Sequence, residues 1–296
     1  MSSIGIMHSG SPTDDYHLAN INTFIDSLKA QYGQLPDIVG PIWAYNDSKK
    51  LKDLASALLK ESVDLIVAAG GSRSALAAMQ ATKRSATTPV VFTSASHSVA
   101  HQATLPKNAS GACAHTSDLD VDRLQLLHDL KPSATDVGVL VNSNRSDYKP
   151  KQKADLEALA KTLKLKLRYA DINGPVTPKK AFKDWQGKIE VALVAADPFF
   201  NDTRQEIVDL AGNIPTIYQW REFVELGGLM SYGLSMAKAY TEAGKIAADI
   251  LKTPGTIPPV WEPQPNDFEL VINETTAKKL RLTVPKSLLA KAKLIR

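Results

Sequence analysis

Val63 to Ala78, VDLIVAAGGSRSALAA, is the stretch from which the rest of the chain is read. Val63, Leu65, Ile66, Val67, Ala68 and Ala69 form a short apolar run of the kind a parallel strand shows when both of its faces are covered. The second half is a small-residue helix, and Gly70-Gly71-Ser72 joins the two. A chain that leaves the carboxyl end of a parallel strand and enters a helix through two glycines and a serine presents backbone N–H groups and a hydroxyl to an anion. Half of a small-molecule site is therefore expected here.

On either side, strands and helices alternate. Strands are expected at 4–7, 38–44 and 89–93, with a short segment at 111–115; helices are expected at 14–32 and 47–60, the latter capped by Asn46 or Asp47. The alternation then restarts, with helices at 118–130, 151–163, 179–185 and 201–211 and strands at 137–141, 165–170, 189–195, 215–218 and 228–232. Such alternation indicates α/β architecture with parallel sheets and right-handed crossovers. A long helix at 235–251, a proline-rich extended passage, a strand at 268–272 and helices at 274–280 and 286–292 follow two complete halves, so the chain crosses back between them. The expected lobes are 1–116 with 234–264 and 117–233 with 265–296, joined by a three-strand hinge.

Val191 to Phe200, VALVAADPFF, is the counterpart of the opening stretch. Ligands bind beyond the carboxyl ends of strands in open α/β sheets, so Asp197 is placed at a cleft with Phe199 beside it. A carboxylate there suits a ligand ammonium or hydroxyl, and an aromatic ring suits an apolar or planar portion. The competing reading makes Asp197 a helix cap and sends Phe199 and Phe200 into the core. Ser9 and Ser11, Ser94 and Ser96, Asn142 and Asn144, Tyr218, Trp220, Arg221 and Tyr232 also fall at strand ends. Taken singly, each is an ordinary turn or rim residue; their coincidence at one edge raises the functional reading. Ser72 is read as an anion contact rather than a simple cap.

Composition excludes several classes. With 35 basic and 31 acidic residues the net charge is +4. The lysine clusters at 149–153 and 161–166 lack aromatic interleaving, which favours solvated helix faces over a nucleic-acid surface. Cys113 is the single cysteine, so neither an intrachain disulfide nor a cysteine-based metal site is expected. No run of about 18 apolar residues marks a membrane span. Met1-Ser2-Ser3 enters a strand without a signal sequence, so neither compartment is excluded: a periplasmic or other extracytoplasmic protein would be one whose export signal is cut from the sequence, and a cytoplasmic location is the alternative.

Phosphate-loop, dinucleotide and nucleophile-elbow signatures are missing, and no acid–base constellation stands out. His97 and His101 stand at i, i+4 and could share a metal on a helix, but no third ligand lies near them in sequence. No metal and no cofactor are expected.

Several segments carry a resemblance: Ile4 to Ser11 (IGIMHSGS), Val63 to Ala75, Pro89 to Phe92, Val137 to Asn142, Leu193 to Phe200, Arg221 to Gly233 (REFVELGGLMSYG), Phe268 to Asn273 (FELVIN) and Thr283 to Ala290. Together they resemble the substrate-binding proteins of bacterial ABC importers, a group that includes tryptophan-binding members. The resemblance implies a type I periplasmic binding fold of two Rossmann-like lobes, an ABC permease and ATPase as partners, a monomeric receptor and no catalysis. It supports Ser9, Gly71, Ser72, Asp197 and Tyr232 as cleft residues, with Ser72 near a ligand carboxylate. Family members run into a Gly-Gly-Asp-Pro-like turn after the fourth strand, whereas this chain has Ser94-Ala95-Ser96-His97. The expected function is capture of a small organic ligand, an amino acid first, by closure of two lobes. The alternatives are a Rossmann-like enzyme acting on a small metabolite and a ligand-sensing module.

Overall fold

The structure is a computed structural model that describes residues 2–13, 15–83, 87–115, 119–142, 150–172 and 176–296. Asp14, Asp118, Asn144 and Lys149 lie outside the described residues. The chain divides into two compact units, Met1–His115 with Met236–Gln264 and Thr116–Ser235 with Pro265–Arg296, so it passes from one to the other three times.

The first unit is built from β1 (Ser3–His8), α1 (Asp15–Tyr32), β2 (Asp37–Trp43), α2 (Ser48–Lys60), β3 (Leu65–Ala69), α3 (Ser72–Thr82), β4 (Val90–Ala95), α4 (His97–Ala100) and β5 (Ala109–Cys113). Its parallel sheet has the order β2-β1-β3-β4-β5. All five residues of β3 are buried, as its unbroken apolar run requires. Asp47 starts α2 by accepting from the N–H groups of Lys49 and Lys50 at 2.8 and 3.4 Å. The register of β2 against β1 shifts between Gly5 and Met7, opposite Pro41, which has no N–H to donate.

In the second unit come α5 (Asp120–Leu130), β6 (Asp136–Val141), α6 (Pro150–Thr162), β7 (Lys166–Asp171), α7 (Pro178–Trp185), β8 (Val191–Val194), α8 (Pro198–Asp202), α9 (Arg204–Ala211), β9 (Thr216–Tyr218), α10 (Arg221–Glu225) and β10 (Met230–Leu234). The chain then returns to the first unit as α11 (Met236–Lys252), which packs on α1. Gly244 makes that approach possible: a Cβ there would stand 2.7 Å from the Phe24 carbonyl oxygen. After α11 the proline-rich passage runs beside β5, where Trp261 donates its N–H to Gly111 and accepts from the Cys113 N–H, both at 2.9 Å. The second unit is completed by β11 (Phe268–Asn273), α12 (Glu274–Lys279), α13 (Lys286–Leu289) and β12 (Ala292–Ile295). Its sheet order is β12-β11-β10-β9-β8-β6-β7, with β11 antiparallel to β10 and the remaining pairs parallel.

Three boundaries differ from the sequence reading for identifiable reasons. The helix expected at 201–211 starts earlier and divides into α8 and α9 at Thr203, because Asp197 caps the chain three residues ahead of Phe200. Gly227, at a φ of 98°, holds the turn after α10, which delays β10 to Met230. The last expected helix ends at Leu289, and the residues after it pair with β11 as an outer strand. Each unit has its own apolar core, one around Phe92, Ile66 and Leu58, the other around Leu193, Ile217 and Leu127.

Candidate functional site

In the first unit the parallel strands β1, β3, β4 and β5 bring their carboxyl ends to one edge, and polar groups gather there. Ser9 is buried, and its hydroxyl donates to the Gly70 carbonyl at 2.6 Å. Gly70 and Gly71 have φ of 84° and 102°, the left-handed region open to glycine. The Gly70 N–H donates to the Tyr240 hydroxyl at 3.2 Å. His8 lies in the same network: its Nδ1 accepts from the Gly10 N–H at 2.9 Å, which leaves the proton of the neutral ring on Nε2, 3.4 Å from the Tyr240 hydroxyl. Burial, reinforced by neighbouring His17, holds the His8 imidazole well below its ordinary pKa.

Ser72 is the first residue of α3, and Gly71 occupies the cap position. The Ser72 hydroxyl accepts from the Ser96 N–H at 3.0 Å and lies 3.1 Å from the Ser96 hydroxyl, so the β3 and β4 strand ends are tied together through it. Ser94 is buried within β4. Ser11 is half-buried and pairs with the Thr13 hydroxyl at 2.7 Å, a local turn contact.

In the second unit three neighbouring strands, β6, β8 and β9, are followed by Asn142, Asp197 and Gln219, the first and last directly and Asp197 three residues on. Asp197 is 2% exposed; its Oδ1 accepts from the Phe199 N–H at 2.7 Å and from the Asn142 amide at 3.3 Å. Asp197 caps α8, as the competing reading has it, and stands beyond the carboxyl end of β8. Phe200 is fully buried, whereas Phe199 is half-buried. Gln219 is fully buried, and neither its amide nitrogen nor its amide oxygen has a hydrogen-bond partner among the described residues. Sequence reasoning passed over Gln219 because a glutamine after a short strand reads as an ordinary rim residue.

Tyr232, on β10, is half-buried near Phe268, and burial with nearby Asp122 raises its phenol pKa. Beneath it Arg123 is fully buried, donating to the Tyr232 carbonyl at 2.8 Å and to Asp120 at 2.6 Å. Tyr218 requires a correction. It was expected at a ligand edge, but it is fully buried inside its own unit, stacked on Phe223 with ring centroids 4.7 Å apart, and burial pushes its phenol far above the usual range. All three residues of β9 are buried, as in a strand covered on both faces, so Tyr218 packs in the core whichever side it points to. His97 and His101, which have no third donor near them in sequence, have the Glu262 carboxylate beside them, carried in by the proline-rich passage.

The match with known proteins follows the whole architecture. Residues 18–295 match the family described as ABC transporter substrate binding protein. The chain belongs to that family. Its members take a small-molecule ligand, work with ABC transporter partners and act outside the cytoplasm. No curated protein sequence matches the chain. Among solved structures, it is similar to an ABC domain in complex with L-Trp from Streptococcus pneumoniae, at 20% identity and a TM-score of 0.81, covering 99% of this chain and 100% of that one. A ligand-free, open substrate-binding protein with adhesive properties from Clostridium difficile has 26% identity and a TM-score of 0.70 over 100% and 99% of the two chains. A leucine-binding protein from Thermotoga maritima has 12% identity and a TM-score of 0.65 over 95% and 87%. The fold is therefore that of type I periplasmic binding proteins, with two parallel-sheet lobes. Among the described residues no helix is long and apolar enough to cross a membrane.

Proposed function

We propose that this substrate-binding protein captures an amino acid or similar zwitterion, with residues of both units contributing to one ligand and closing over it. The Gly71-Ser72 start of α3 supplies backbone N–H groups for the carboxylate. Asp197 supplies the counter-charge for the ammonium, and Phe199 and Tyr232 supply apolar surface for the side chain. The observation that carries this reading is Gln219. A buried amide without partners costs about 1–3 kcal/mol, and it sits at the same strand-end edge as Asp197 and Asn142, where a ligand's polar atoms would satisfy it. Neighbours of the same fold are described with tryptophan, leucine or isoleucine, which makes these the first ligands to try.

The test is titration calorimetry with L-tryptophan, L-leucine and L-isoleucine on the wild type and on Asp197→Asn. Asparagine caps a helix as well as aspartate does, so this variant removes the charge and keeps α8. Affinity should fall by about 1.5–3 kcal/mol, roughly 10- to 150-fold. Failure of every amino acid to bind, or unchanged affinity in the variant, would sink the zwitterion reading. Gln219→Leu should also weaken binding while folding normally.

A further inference from the structure

Three imidazoles and one carboxylate converge in the first unit, at a place the ligand reading does not use. His97 opens α4 and His101 follows its last residue, one turn later. His115 lies two residues beyond β5. Glu262 is held beside them by the backbone pairing of Trp261 with Gly111 and Cys113, so its position is set by a ladder rather than by a loose loop. One carboxylate oxygen, Oε1, meets His101 Nε2, and the other, Oε2, lies 2.6 Å from His115 Nε2. The His97 ring centroid is 4.6 Å from that of His101 and 4.9 Å from that of His115.

The donor atoms of His97, His101 and Glu262 all lie within 4.8 Å of one another. Ligands about 2.0–2.2 Å from a tetrahedral zinc ion stand roughly 3.4 Å apart, so closing these donors on an ion requires shifts of about an ångström. The side chains are open enough to admit one, with His101 42%, Glu262 31% and His115 27% exposed. Imidazoles together with a carboxylate form the donor set that suits zinc, nickel and copper.

We infer that His97, His101 and Glu262 form a binding site for one divalent transition-metal ion, zinc first, with His115 held on the second Glu262 oxygen. The site belongs wholly to the first unit and joins its two outgoing chain segments, since His115 is the last residue before one crossing and Glu262 precedes another by two residues.

The experiment is titration of the chelator-treated, untagged protein with ZnCl2, followed by calorimetry and by thermal shift. The wild type should bind one Zn2+ per chain and melt at a higher temperature when loaded. Glu262→Gln and His101→Ala should each weaken binding by more than the roughly 10- to 100-fold typical of losing an outer-shell partner. His97→Ala removes an exposed side chain, leaves folding intact as judged by circular dichroism, and should also weaken binding. Absence of Zn2+ binding by the wild type, or wild-type affinity in His97→Ala, overturns the inference.

Discussion

The two units carry buried polarity at their strand ends in different ways. In the first, the groups are neutral and satisfy one another: Ser9 with Gly70, Ser72 with Ser96, and His8 with Gly10 and Tyr240. In the second, charged groups stand among neutral Asn142 and Gln219: Asp197 is held against the start of α8, and Arg123 on α5 is locked to Asp120 beneath Tyr232. A neutral network fails by steric crowding, because its small residues leave no room. A charged one fails by loss of a partner, because the remaining ion is stranded away from water.

Replacing Arg123 by Met should have the largest effect. It leaves Asp120, which is 5% exposed, without its guanidinium, and a broken buried pair costs about 3–5 kcal/mol. Hydrogen exchange resolved by segment should show the loss in the second unit; equal loss in both would erase the contrast. Gly70→Ala is the corresponding break in the first unit. The new Cβ would stand 2.4 Å from the Ser9 hydroxyl at a φ of 84°, and a cost of about 1–3 kcal/mol should appear in exchange of β1 and β3. Wild-type protection there would mean the corner is looser than its hydrogen bonds imply.

The smallest effect sets the two units against each other by pH. His8 is neutral when folded, so the stability it contributes is present above its ordinary value of 6.5 and is lost as the pH falls further. Glu222 behaves in the opposite sense. Its stem is partly exposed, but Oε2 is buried with no hydrogen-bond partner among the described residues, and burial pushes its pKa from 4.5 up to about 7. Its protonated form is favoured by the fold, so its contribution is present below 4.5 and is lost as the pH rises through about 7. On acidification, protection corrected for intrinsic exchange should therefore rise around α10 and fall around β1. Glu222→Gln should stabilise the second unit by about 1–2 kcal/mol at mildly alkaline pH and by much less in acid. His8→Gln should flatten the trend in the first. Parallel pH trends in the two units would refute the contrast.

Much of the architecture was legible in the sequence because it rests on period and punctuation. The run from Leu65 to Ala69 is buried throughout, and Gly70-Gly71 adopts the backbone that only glycine enters readily. The Asp197 position was legible for the same reason, although a cap and a strand-end carboxylate use the same residue type and cannot be separated by spacing alone. Tyr218 was misplaced because β9 is covered on both faces, so a strand-end position there is core rather than rim. Gln219 and Glu262 were invisible for a different reason: what distinguishes them is three-dimensional, a buried amide with empty hydrogen-bonding capacity in one case and a pairing between residues about 150 apart in the other.

Prolines occupy both borders of the first unit's sheet. Pro41 interrupts the donor row of β2, and the passage around Pro258, Pro259 and Pro263 already occupies the outward backbone of β5 at Gly111 and Cys113. A foreign chain laid alongside either border finds no continuous row of N–H groups to copy. While this unit stays folded, its sheet is a poor template for cross-β growth and strand exchange.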